Sequence, residues 1–173
     1  VKRAPFADLN LRRVVAFGIK YESLATEIFD SVFQTADGFY PPLYKFAVKN
    51  QKTDIAEARK NLDENGWATN SDGIREKNGA KLSLVLLTYP QQPDWVTLAT
   101  AIQANLREIG FDVQIRQVED INAALKSGDW DLAINSPGIM TNGGSPDSAL
   151  SEFLSTKGEK NFGGVSDAEL DKL

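Results

Sequence analysis

Residues 81–135 read KLSLVLLTYPQQPDWVTLATAIQANLREIGFDVQIRQVEDINAALKSGDWDLAIN. Residues 82–87 are a nearly continuous apolar run, the composition of a strand covered on both faces. Trp95, Leu98, Ile102, Leu106 and Ile109 then recur every three or four residues, which places them on one face of a helix that Gly110 ends. Phe111, Val113 and Ile115 alternate with Asp112, Gln114 and Arg116, the period of a strand, and the alternation breaks only at Gln117-Val118. Asp120 is placed to cap a short helix through Leu125, stopped by Gly128, and residues 130–134 form the next strand. A β-α-β-α-β order with short helical connections implies parallel neighbours and right-handed crossovers. The expected fold class is α/β, an open, mixed, largely parallel sheet with flanking helices.

Upstream, Asp54 opens a helix, with Glu57 at the capping-box position and Ile55, Ala58 and Leu62 as the apolar stripe. Asn65-Gly66 closes it and Trp67 folds back on its end. Residues 68–80 are polar and turn-rich, with Asn78-Gly79 a tight-turn signal before a strand. Near the start, Leu11, Val14, Val15, Ile19, Leu24 and Ile28 predict one helix or two short ones over 9–33, weakened at Gly18. Residues 35–50 hold Gly38, Pro41, Pro42 and four aromatics: Phe39, Tyr40, Tyr44 and Phe46. They predict a surface loop whose rings are pinned against apolar neighbours. Downstream, Ser145 or Asp147 starts a helix through Leu154. Ser166-Asp167-Ala168-Glu169 reads as a capping box for a last helix with Leu170 and Leu173 buried, expected to continue in a longer protein.

The bulk properties exclude several classes. The 173 residues suit one domain or one large lobe, and 42% hydrophobic with 25% charged residues is ordinary globular composition. A net charge of −5 and a pI near 4.8 argue against a nucleic-acid partner, which favours a basic face. Without cysteine there is no disulfide, zinc thiolate or thiol nucleophile, and without histidine there is no Ser-His triad and the commonest metal ligand is missing. No apolar run approaches the ~18 residues of a bilayer span.

Ligands of open α/β sheets bind beyond the carboxyl ends of the strands. Here those ends are residues 88–94, 119–122 and 135–145. The third is rich in small and polar residues. Gly138, Gly143 and Gly144 allow close backbone approach, and Asn135, Ser136, Thr141 and Asn142 supply donors and acceptors. The same composition also fits a plain surface connection with glycines for turn geometry. Asn142-Gly143-Gly144-Ser145 before a helix could cradle an anion, but lacks the phosphate-loop lysine. Tyr89, just past a strand end, is a candidate for stacking on a ligand. Trp95 and Trp130 read as core, Asp129 and Asp131 as strand-edge charges, and Arg75 as solvated or ion-paired surface.

Four segments resemble, in order, the bacterial extracellular solute-binding proteins of the dipeptide, oligopeptide and nickel type. They are Pro5-Phe6-Ala7-Asp8 with Arg12, Val15, Ile19 and Lys20; residues 54–87; Gln103, Leu106, Ile109-Gly110 and Val113; and Asp129-Trp130-Asp131-Leu132 with Pro146-Asp147 and Asn161-Phe162-Gly163-Gly164. Lys20 and Tyr21 stand where the family has an acidic-basic pair. The resemblance implies one lobe of a two-lobed, periplasmic-binding-protein-like (type II) clamp that closes on a solute and docks on an ABC-transporter permease. Residues 1–173 are then one domain, the ligand-closing lobe, with the first lobe and a returning C-terminal segment outside the sequence. The family's ligand segment maps onto residues 136–147; with the strand-end candidates Tyr89 and Asn135, the expected ligand residues are Tyr89, Asn135, Ser136, Gly138, Met140, Thr141, Asn142, Gly143 and Asp147. No catalytic residue, metal or cofactor is expected.

The position matching the acidic residue of peptide-binding relatives is the neutral Asn142, and the loop has no histidine or arginine of the kind nickel relatives often use. A peptide, a metal chelate, or an opine-like or sugar-like solute therefore stays open. The implied setting is periplasmic or extracellular, as a monomer held at the membrane by the transporter or a lipid anchor. The competing reading is an independent small α/β enzyme working with carboxylates such as Asp129 or Glu119, which needs a perturbed pKa in a cleft.

Overall fold

The computed structural model describes residues 4–136 and 146–172. Asp8 starts α1 (Leu9–Gly18) by accepting a hydrogen bond from the Asn10 amide at 2.8 Å, and Leu11, Val14 and Val15 form its buried stripe. Gly18, the last residue of the helix, packs close to Ile109: a Cβ at this position would lie 2.5 Å from Ile109 Cδ1. α2 (Tyr21–Glu27) follows, so residues 9–33 contain two short helices, and α2 has no buried residue. Residues 35–50 form the expected loop. Its aromatics pack largely on each other, Tyr40 meeting Phe39 and Phe46 edge-on at 4.9 and 5.1 Å. Only Tyr40 is buried among them, and its hydroxyl donates to the Pro146 carbonyl at 2.8 Å.

α3 (Ile55–Glu64) is capped as its sequence dictates, the Asp54 carboxylate accepting from the Glu57 amide at 3.0 Å. Ala58 and Leu62 are fully buried, and the Trp67 amide donates back to the Leu62 carbonyl at 3.0 Å. The turn-rich stretch that follows contains more strand than its composition suggests. β1 (Ala68–Thr69), β2 (Arg75–Lys77) and β3 (Ala80–Lys81) make a small antiparallel sheet in the order β1-β2-β3. Its tight turn has Asn78 at φ 53° and Gly79 at φ 76°, both in the left-handed region that a two-residue hairpin loop requires.

Arg75 is ion-paired, as one of its two sequence readings has it, but it is buried rather than at the surface. It donates to the Asp63 carboxylate and to the Trp67 carbonyl, and its amide donates to the Gly110 carbonyl at 2.8 Å. The small sheet is clamped by these bonds to the end of α3 and to the turn at Gly110.

β4 (Ser83–Thr88), α4 (Asp94–Glu108), β5 (Asp112–Gln117), α5 (Ile121–Ser127) and β6 (Leu132–Ala133) form the main unit. All three strands are parallel, in the order β5-β4-β6, so β4 is central. Its period-two alternation divides the core. Leu84 and Leu86 join Leu106, Ile109, Phe111 and the buried residues of α1 and α3 on one face. Val85 and Leu87 join Ile121 and Leu125 on the other. Each fully buried leucine is worth about 2 kcal/mol relative to exposure.

β6 is shorter than the expected 130–134. Trp130 turns toward α5, its indole N–H donating to the Leu125 carbonyl at 3.0 Å, and only Leu132 and Ala133 pair with β4. α6 (Pro146–Phe153) matches the expected helix closely. The last expected helix is instead a 3-10 turn, Leu170–Lys172. Its cap is Asp167 rather than Ser166, accepting from the Glu169 and Leu170 amides at 2.8 and 3.2 Å. Leu170 is only partly buried, and Leu173 lies outside the described residues.

Candidate functional site

With α4 packed on one face of the sheet and α5 on the other, the chain leaves β4 toward one side and reaches β6 from the opposite side. The switch lies between β4 and β6, which opens a crevice at their carboxyl ends. Tyr89 follows β4 at this edge, and Asn135 and Ser136 follow β6. Tyr89 and Ser136 are brought together. Burial pushes the Tyr89 phenol pKa up, and a backbone hydrogen bond with Ser136 opposes the shift. The Tyr89 ring also meets Trp95 edge-on at 4.4 Å. Asn135 is exposed, and Asp147 is exposed in the first turn of α6. Gly138, Met140, Thr141, Asn142 and Gly143 lie outside the described residues, as does the possible anion cradle that ends at Ser145.

Beside this edge is a cavity of about 450 Å³. One wall is the apolar side of α2, Tyr21 and Leu24, continued by Phe29 and Phe33. The opposite wall is Gln92, Asp94 and Trp95 at the start of α4, with Ser136 at the edge. Trp95 is thus a cavity wall, where its helical spacing had suggested core. The wall from α2 comes from a short helix remote in sequence from the strands, and its one sequence signal is the apolar Tyr21, Leu24 and Ala25 on neighbouring helical positions; in the fold they are only partly buried and line the cavity.

The carboxylates considered for catalysis have other partners or settings. Asp129 pairs with Arg116 at 2.8 Å, at the surface. Asp131 completes the sheet: its carboxylate accepts from the Val85 amide at 2.7 Å and its own amide donates to the Val85 carbonyl at 3.0 Å. Glu119 is exposed, its carbonyl accepting from the Gln91 side chain at 2.9 Å. Arg12 donates to the Phe6 and Ala7 carbonyls at 2.8 and 3.0 Å and so fastens the N-terminal lead-in to α1. Among the described residues there is no group of three or more Asp, Glu, His or Cys able to hold a metal ion.

Comparison with known proteins places this geometry in context. The sequence profile described as "Bacterial extracellular solute-binding proteins, family 5 Middle" matches residues 1–161. The oligopeptide-binding protein OppA of Lactococcus lactis subsp. cremoris is 26% identical over 186 aligned residues, covering 99% of this chain and 30% of the relative. The crystal structure of a nickel ABC transporter protein from Bacillus halodurans superposes with a TM-score of 0.86 at 28% identity, covering 98% of this chain and 36% of that one. The oligopeptide-binding protein AppA of Bacillus subtilis, solved with a nonapeptide, gives 0.81 at 25% identity over 99% of this chain and 36% of its own. The chain thus spans about a third of the length of these relatives.

Proposed function

Because the chain belongs to the bacterial extracellular solute-binding proteins of family 5, we propose that it is the ligand-closing lobe of a longer solute receptor. The receptor captures a small solute between two lobes and delivers it to an ABC-transporter permease. The observation that carries this reading is the crevice at the carboxyl edge of β4 and β6, with its adjoining 450 Å³ cavity walled by aromatic side chains. Among its described residues the site has shape and a few polar groups and no apposed acid and base, which suits binding without turnover.

Closure needs no chemistry. A solute resting on Tyr89, Ser136 and the cavity wall gains its remaining contacts only when the other lobe swings in, so it favours the closed population by that difference in affinity. The relatives are named for peptides and for nickel, and both remain solute classes for this protein. Asn135, Gly138, Met140, Thr141, Asn142, Gly143 and Asp147 belong to the same proposed site, on the segments that leave β6 and enter α6. The receptor works outside the cytoplasmic membrane as a monomer. Among the described residues no helix is long and apolar enough to cross a membrane.

The test is native mass spectrometry of the full-length protein as purified, followed by calorimetric titration with a nonapeptide and with nickel–histidine. A retained solute, or binding of either compound with no product formed, is the expected result. An empty protein that ignores both, and is not retained by its permease in detergent, overturns the reading.

A further inference from the structure

We propose that the cavity between α2 and the start of α4 accepts an apolar, ring-sized group carrying a positive charge, and selects against carboxylates. This rests on the solute-receptor reading and specifies what part of a solute the site recognises.

Three observations carry it. First, α2 has no buried residue, although a helix this short draws its stability from packing. Its Leu24 lines the cavity and is only partly buried, so an apolar occupant would add to its contacts. Second, an uncommon turn shapes the wall. Asp30 and Ser31 both adopt positive φ, 49° and 60°, which is unfavourable for residues with a Cβ. This left-handed turn brings Phe33 back onto Phe29, the rings edge-on at 5.4 Å, and leaves Phe33 62% exposed. Strain of this sort collects at ligand clamps. The exposed Phe33 ring and Trp95 both line the cavity, which suits a flat or bulky apolar group.

Third, Asp94 is the one charged side chain among the described lining residues. It sits in the first turn of α4, whose amino end contributes a partial positive charge of about one half. The full negative charge of Asp94 outweighs that, so the wall is net negative. Gln92 and Ser136 offer neutral polar contacts beside it.

The experiment uses the full-length protein and three probes with similar rings: 2-phenylethylammonium, 2-phenylethanol and 3-phenylpropionate. Affinities are read by calorimetry, and contact with the wall by quenching of tryptophan fluorescence, with Trp95→Phe identifying the reporter. The expected order is ammonium, then alcohol, then carboxylate, with about tenfold between the ends. High salt compresses the order, Asp94→Asn reduces it to less than about twofold, and Phe33→Ala weakens all three probes. The nonapeptide and nickel–histidine are titrated alongside. The proposal is overturned if the carboxylate binds as well as the ammonium, if the order survives Asp94→Asn, or if the probes fail to bind while a solute does. In that last case the receptor reading stands. If neither probes nor solutes bind, both fail together.

Discussion

Thr88 is fully buried at the carboxyl end of β4, and its hydroxyl has no hydrogen-bond partner among the described residues. A buried hydroxyl left unpaired costs about 1–3 kcal/mol. Replacing it with the similarly shaped valine removes that cost without opening a void. Thr88→Val is expected to stabilise the fold by about 1 kcal/mol, seen as a higher urea midpoint with an unchanged slope. A lower midpoint would mean that the hydroxyl has a partner in solution. Such single-residue features are the hardest to see in a sequence. Nothing in the run SLVLLT says that its last hydroxyl is stranded, and nothing around Asp131 says that its carboxylate serves as a backbone partner for Val85. Arg75 is a similar case. Polar neighbours made it look superficial, yet Gly110 at φ 100° leaves room for its side chain where a Cβ would collide with it.

At the scale of elements, local chemistry was a better guide. The N-cap of α3 illustrates why: Asp54, Glu57 and Gly66 act on neighbours within one turn, so their geometry follows from spacing alone. The Asp54 carboxyl is held below its ordinary pKa by a hydrogen bond from Lys52, and next by the Glu57 amide. A carboxyl with a lowered folded pKa stabilises the protein above the unfolded pKa, and that contribution is lost as pH falls through the folded value. Asp54→Ala is therefore expected to lower the melting temperature at pH 7, with the gap to the parent closing as pH drops below the usual carboxylate range. Circular dichroism melts across that range check it; a gap independent of pH would assign the effect to helix propensity. The central strand, α4 and α5 were readable for the same local reason. The antiparallel β1-β2-β3 unit was not, because its two- and three-residue strands are defined by pairing and by the Arg75 bonds rather than by any periodic pattern. The length of β6 was misjudged because Trp130 packs on α5, a tertiary contact that overrides strand propensity.

On the scale of the whole molecule, order is unevenly distributed. The main sheet, its helices, and α1 and α3 packed with them carry nearly all the fully buried side chains, whereas residues 28–53 expose Val32, Phe33, Leu43 and Val48 and make few long-range hydrogen bonds among the described residues. Hydrogen exchange is expected to be slowest for β4 and the inner turns of α4, and faster by orders of magnitude over residues 28–53. Uniform protection would mean that this segment is part of the cooperative core. The candidate site shows the same division. Its edge at Tyr89, Asn135 and Ser136 followed from the rule for parallel sheets, a statement about topology that the β-α-β order already contained. The cavity wall contributed by α2 depends on how a distant segment is folded over the sheet, a tertiary arrangement that no local pattern encodes.

The division of β4 between two cores carries a consequence for how the sequence can change over time. Leu84 and Leu86 answer to one set of neighbours, Val85 and Leu87 to another, and no side chain of the strand serves both. A volume change on one side can be compensated by α4 or α1, and a change on the other by α5, without either repair reaching across the backbone. Covariation among homologues should therefore separate into two independent groups of positions that interleave residue by residue along β4, each evolving as though the other were absent.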